Sequence, residues 1–145
     1  MRTFLKSLPS AALVLLYAYA AGSKLADVAA FRRELHRQPF PPGVADVLLY
    51  LLPAAELAVA ALLLFGRTLR TGLQASLVLL VLFTGYILLA MLGYWEQVPC
   101  SCGGIISHLT WGQHLAFNCF CMAVNLMALH IYAKGEAGNP RPDPA

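Results

Sequence analysis

Charge is scarce in this chain. Asp, Glu, Lys and Arg make up only 12% of its 145 residues, against 59% hydrophobic, and the mean hydropathy is +0.67. A soluble domain needs more charge than this to cover its surface, which argues against a soluble globular fold. The net charge of +3 is scattered through connections and tail and forms no basic stripe, so a nucleic-acid partner is not indicated. Equally absent are a Gly-rich phosphate loop, a Ser-His-Asp set and a dinucleotide fingerprint. Nucleotide chemistry and triad hydrolysis therefore have no footing in the sequence.

What the chain does have is long apolar runs. At about 20 residues per membrane crossing, it accommodates roughly four spans with their connections and no separate soluble domain. The predicted fold is all-α: a polytopic membrane protein with a four-transmembrane-helix bundle and a short interfacial helix after the first span. Residues 1–133 form the membrane domain, and residues 134–145, rich in Pro, Gly and charge, are expected to be a disordered tail.

The first span is predicted from Phe4 to Lys24, which at about 1.5 Å per residue covers the hydrocarbon thickness and lets Lys24 snorkel at the far interface. Ala18-Tyr19-Ala20 has the form of a signal-peptidase site, but we read the segment as a retained span. Between Asp27 and Arg37, Val28, Phe31 and Leu35 share one helical face while Arg32, Arg33 and Arg37 lie elsewhere, the pattern of a helix lying in the interface plane. Pro39, Pro41, Pro42 and Gly43 end it.

The second span, about Val44 to Phe65, holds Pro53, which frees a carbonyl one turn earlier and favours a kink. It also holds Glu56, about 12 residues in and so near the bilayer midplane. A carboxylate at that depth is a functional candidate, with capping a helix–helix contact or sitting protonated beside an Asn as its structural alternatives. The third span, Gly72 to Trp95, offers Gly85 and Ala90 for close packing and Tyr94 and Trp95 as interfacial anchors. A fourth span is expected from about His114 to Tyr132.

The four cysteines fall in two C-x-C pairs. Cys100 and Cys102 belong to Pro99-Cys-Ser-Cys-Gly-Gly-Ile105, a segment of turn composition between the third and fourth spans. A disulfide between residues this close needs a bent backbone and is strained, hence readily exchanged. Gly103 and Gly104 supply the backbone freedom for such a turn. Cys119 and Cys121 fall inside the fourth span, where two residues turn through about 200°, so they cannot close on each other without breaking the helix.

On that helix His114, Asn118, Cys121 and Asn125 are separated by steps of 4, 3 and 4, which puts them on one stripe that must face the bundle interior. His114 and His108 are each candidates to lower a cysteine pKa, or His114 to cap the helix. Cys121 is a candidate to face Glu56 across the bundle. A competing reading of the loop is a zinc or copper(I) site made by Cys100, Cys102, His108 and His114, although their spacing matches no common zinc pattern.

Orientation follows from the connections. Arg2, Lys6, Arg67, Arg70, Lys134 and Arg141 lie on one side, whereas the segment from Glu96 to Gln113 has no Lys or Arg. Both termini are therefore expected in the cytoplasm and the Cys100–Cys102 loop outside, in an oxidising space. The three Arg of the first connection oppose this bias.

The Pro99–Ile105 motif, followed by Leu109, Trp111, His114 and Phe117-Asn118, resembles the signature of the methylamine-utilisation MauE family within the broader DoxX-like group. Gly22-x-Lys24 with Asp27, and Pro53, Glu56 and Leu64 to Arg67, are similar to the first and second helices of DoxX-type proteins. The resemblance implies a four-helix protein of the bacterial cytoplasmic (inner) membrane that works beside a thioredoxin-fold periplasmic protein and supports disulfide formation in a client, methylamine dehydrogenase in the namesake system. It also implies that Cys100 and Cys102 are the redox pair. The sequence fixes no cofactor; quinone is a candidate electron carrier. A non-catalytic membrane scaffold or chaperone subunit is the alternative role, and the oligomeric state is not set by the sequence.

Overall fold

The computed structural model describes residues 2–94 and 110–137. Cys100, Cys102, Gly103, Gly104 and His108 lie outside the described residues, as does the tail beyond Ala137. The described chain is helical, with five helices: α1 (Arg2–Ala26), α2 (Val28–His36), α3 (Pro42–Leu64), α4 (Leu69–Met91) and α5 (Trp111–Ala137). Four of them, all but α2, are long and apolar enough to cross a membrane. The predicted four-helix membrane bundle is therefore the observed architecture.

Local chemistry sets the helix ends. Asp27 caps α2, its carboxylate accepting from the Ala30 N–H at 2.8 Å. Pro42 opens α3, where its missing N–H costs nothing. α5 begins on a capping box: the Thr110 N–H donates to Gln113 Oε1 at 3.0 Å, and the Gln113 N–H faces Thr110 Oγ1 at 3.4 Å. At the end of α4, Gly93 takes φ 71° while the Tyr94 and Gly93 N–H groups donate back to Leu89 and Ala90. This Schellman-type stop ends the helix at Met91, short of the expected Trp95. At its other end α5 continues to Ala137, past the expected start of the tail at Lys134.

In the bundle α1 packs against α3 and α5, and α4 against the same two helices. Chain neighbours among the long helices run antiparallel, so α1 and α4 form one diagonal and α3 and α5 the other. Leu13, Tyr17, Val59, Ala60, Leu63, Leu73 and Ala128 fill the core at the end where α1 begins. Gly72 makes the tightest approach there. A Cβ added to it would meet the Leu62 carbonyl carbon and the Leu63 nitrogen at 2.9 Å, whereas one on Gly85 would meet nothing within 4 Å. The close-packing glycine is thus Gly72, not Gly85, because α3 and α4 are drawn together by the short turn that joins them.

α2 forms where the periodicity places it. Its Phe31 and Leu35 are buried against Ala45 and Leu49 of α3, while Val28 is exposed. Its Phe31–Leu35 face is thus directed onto α3, and α2 covers the end of the bundle at which α1 stops.

Candidate functional site

Two layers of buried polar groups cross the bundle one 7-residue step apart. In the first, the Tyr17 hydroxyl donates to the Ser76 carbonyl oxygen at 3.0 Å and lies 3.0 Å from Ser76 Oγ. The Asn125 amide completes this layer. Oriented to satisfy both of its ends, its nitrogen donates to the Leu73 carbonyl oxygen at 3.2 Å, and its oxygen accepts from the Leu77 N–H at 3.1 Å and the Ser76 hydroxyl at 2.6 Å. The network ties α1, α4 and α5 together and leaves no polar atom of the Asn125 side chain unpaired.

Seven residues along α1 and α5, about 10 Å toward α2, lie Lys24 and Asn118. Lys24 is not at the interface, as its position near the end of α1 suggested. It is 6% exposed and its ammonium donates to Glu56 Oε1 at 2.8 Å, Glu56 Oε2 at 3.1 Å and the Ala20 carbonyl oxygen at 3.1 Å. All three of its N–H donors are therefore used. The Phe31 ring of α2 lies 5.8 Å from the ammonium, within cation–π range. Glu56, 2% exposed, thus has a full counter-charge, which is how a carboxylate at this depth remains tolerable.

The pair lines a cavity of about 310 Å³ to which all five helices contribute. Its walls are mainly apolar and aromatic, with Phe31, Phe40, Phe83, Tyr86, Trp111 and Phe117 among them. Phe40 and Tyr86 form a tilted ring pair with centroids 5.7 Å apart, and the Tyr86 hydroxyl donates to Gln38 Oε1, fixing α4 to the connection after α2. On α5, His114 and Asn118 also line the cavity. Asn118 is 6% exposed, and its Nδ2 is a buried donor with no hydrogen-bond partner among the described residues.

The stripe expected on the last helix is thus present: His114, Asn118, Cys121 and Asn125 are all buried. The structure brings Glu56, His114 and Asn118 to one cavity but leaves Cys121 out of it. Cys121 lines a separate groove between α1 and α5, with Leu13, Phe117 and Val124, and the group facing Glu56 is Lys24. Cys119 is exposed and Cys121 buried, and both are free thiols, as their opposed helical positions require. Among the described residues no three metal-ligating side chains cluster, and three of the four residues of the metal reading lie outside them.

Lys24 is the site residue that the sequence reading misplaced. The signal was present: Glu56 needs a cation, and Lys24 is the sole Lys or Arg among the four candidate spans that is not within a few residues of the end bearing Arg67 and Lys134.

These features define a four-span helical membrane protein with a charged pair and an aromatic-lined cavity in its interior. The family model described as Methylamine utilisation protein MauE matches residues 2–132, and the chain belongs to that family. No curated protein and no solved structure is detectably similar to it.

Proposed function

We propose that the protein exchanges thiols and disulfides through Cys100 and Cys102 with a thioredoxin-fold partner at the outer face of the bacterial cytoplasmic membrane, in support of the maturation of a disulfide-bearing client. The carrying observation is the Pro99-Cys-Ser-Cys-Gly-Gly motif on the connection between α4 and α5. That connection joins the bundle at the end less rich in cations: three Lys or Arg flank this end, Arg32, Arg33 and Arg37, against six at the other. Two of the three are engaged by carboxylates, Arg32 with Asp46 and Arg37 with Glu34, each at 3.4 Å. The six-to-three bias supports cytoplasmic termini and an outward connection.

In the exchange, a thiolate of the partner attacks the Cys100–Cys102 disulfide. One cysteine is released as a thiol, and the other is held in a mixed disulfide until the partner's second thiol displaces it. The partner leaves oxidised and this protein holds two thiols; the reverse sequence returns the electrons. The test is thiol trapping in intact cells with a membrane-impermeant maleimide. Cys100 and Cys102 should shift between oxidised and reduced pools and label from outside; with Cys100 as the attacking cysteine, Cys100→Ala should accumulate no mixed disulfide, whereas Cys102→Ala, which lacks the resolving thiol, should trap a partner. Permanently reduced cysteines, or labelling only after the membrane is opened, would overturn the proposal.

A further inference from the structure

We infer that the cavity beside the Lys24–Glu56 pair is a binding site for the ring of a quinone-type carbonyl compound drawn from the bilayer. Its polar chemistry selects the ligand. Lys24 and Glu56 neutralise one another, and every Lys24 proton is taken. The site therefore offers no net charge to an ion. What it does offer is one buried donor without an acceptor, Asn118 Nδ2. A neutral molecule bearing a carbonyl oxygen satisfies that donor and removes the cost of leaving it unpaired.

Shape and access select further. The volume of about 310 Å³ is at the low end for ligand pockets, and suits a substituted ring rather than a two-chain lipid. Aromatic side chains from three helices, Phe31 of α2, Phe83 and Tyr86 of α4, and Trp111 and Phe117 of α5, present faces and edges to a flat π-system. Leu82 belongs to the wall, yet is 63% exposed on the outer surface of a candidate span. The cavity thus communicates with the lipid-facing side of α4, the route by which a lipid-soluble molecule would enter and along which a tail would leave. Binding stands on the cavity alone and does not depend on the thiol chemistry proposed above.

Trp111 in the wall provides the readout, since quinones quench indole fluorescence. The chain has two tryptophans, so a Trp95→Phe background isolates Trp111. Purified full-length protein in detergent micelles is titrated with a benzoquinone carrying one isoprene unit. Saturable quenching is expected, weakened roughly five- to tenfold by Asn118→Leu, as loss of one neutral hydrogen bond requires. Ala20→Leu, which fills space in the wall and leaves every buried polar group in place, should abolish it. It decides alone if Asn118→Leu loses its helical content. Exposed Cys119→Ser should bind like the parent. Decanoate or a short-chain phospholipid should fail to displace the quinone at matched micellar mole fraction. Absence of saturable quenching, undiminished quenching in Ala20→Leu or in a folded Asn118→Leu, or equal displacement by decanoate overturns the assignment.

Discussion

Removing one member of the Lys24–Glu56 pair should damage the protein far more than removing both. Glu56→Leu leaves the Lys24 ammonium buried, with the Ala20 carbonyl oxygen as its remaining acceptor. Two charge-assisted hydrogen bonds vanish and an uncompensated charge stays on a side chain only 6% exposed. Breaking a buried pair from one side costs about 3–5 kcal/mol. Lys24→Met strands the carboxylate in the same way and should cost a similar amount. The double variant Lys24→Met, Glu56→Leu strands nothing and adds apolar volume, so it should unfold within about 1–2 kcal/mol of the parent, because apolar replacement of a whole buried pair is often neutral. Reversible unfolding in mixed micelles, followed by helical circular dichroism, measures all four corners of the cycle. Single-variant losses below about 1 kcal/mol, or a double variant as unstable as the two losses combined, would refute the view that these groups compensate one another in a dry interior.

The packing gives four other predictions. Gly72→Ala places a Cβ at 2.9 Å from the α3 backbone; it should cost about 1–3 kcal/mol in the same unfolding assay, whereas Gly85→Ala, with open space around it, should be neutral or stabilising by up to about 1 kcal/mol. Asn125→Leu removes the partner of Ser76 Oγ and the Leu77 N–H and should cost about 1–3 kcal/mol. Tyr17→Phe, which loses only the hydroxyl bonds to Ser76, should cost about 0.5–1.5 kcal/mol. In micelles, an apolar maleimide should modify Cys119 much faster than Cys121, since the first is exposed and the second buried; equal rates by mass spectrometry would contradict the helical phase of α5.

Much of this architecture was legible because, in a membrane, length and apolarity dominate. The four spans, the short helix after Asp27 ended by the Pro39–Gly43 cluster, and the interior stripe His114–Asn125 depend on local sequence and periodicity, and the structure has all of them. What was not legible depends on which helices become neighbours. Lys24 lies two residues from the end of α1, and snorkelling follows if that end meets the headgroups. Instead α3 and α4 extend beyond α1, and α2 covers the difference, so the lysine is roofed over and turned toward Glu56. Gly72 escaped notice for a related reason: only the turn at residues 65–68 brings its Cα against Leu62 and Leu63. Asn118 was placed correctly on its stripe, but its missing acceptor is a property of the cavity and not of any helix.

The ion pair also bears on why the cavity is there. Tyr17, Ser76 and Asn125 use up their hydrogen-bonding groups on one another, and that layer closes into a core with Leu13, Leu63 and Leu73 around it. One 7-residue step further the corresponding positions are Lys24, Phe83 and Asn118, with Glu56 from α3. Here the two charges satisfy each other across the adjacent pair α1 and α3, and Asn118 on α5 is left without a partner. Had α4 offered a hydroxyl in place of Phe83, the second layer would have had the means to close as the first does. Because it offers a ring, apolar space and an orphan donor coexist at the end of the bundle where α2 forms the cover. Phe83→Ser is therefore informative: a hydroxyl on α4 one step from Ser76 gives Asn118 an acceptor from within the protein. It should weaken quinone binding, and, since Phe83 is only half-buried and the new hydroxyl pairs with Asn118, should lower stability by less than about 1.5 kcal/mol. A larger loss of stability, or unchanged binding, would show that the missing acceptor is not what keeps this layer open.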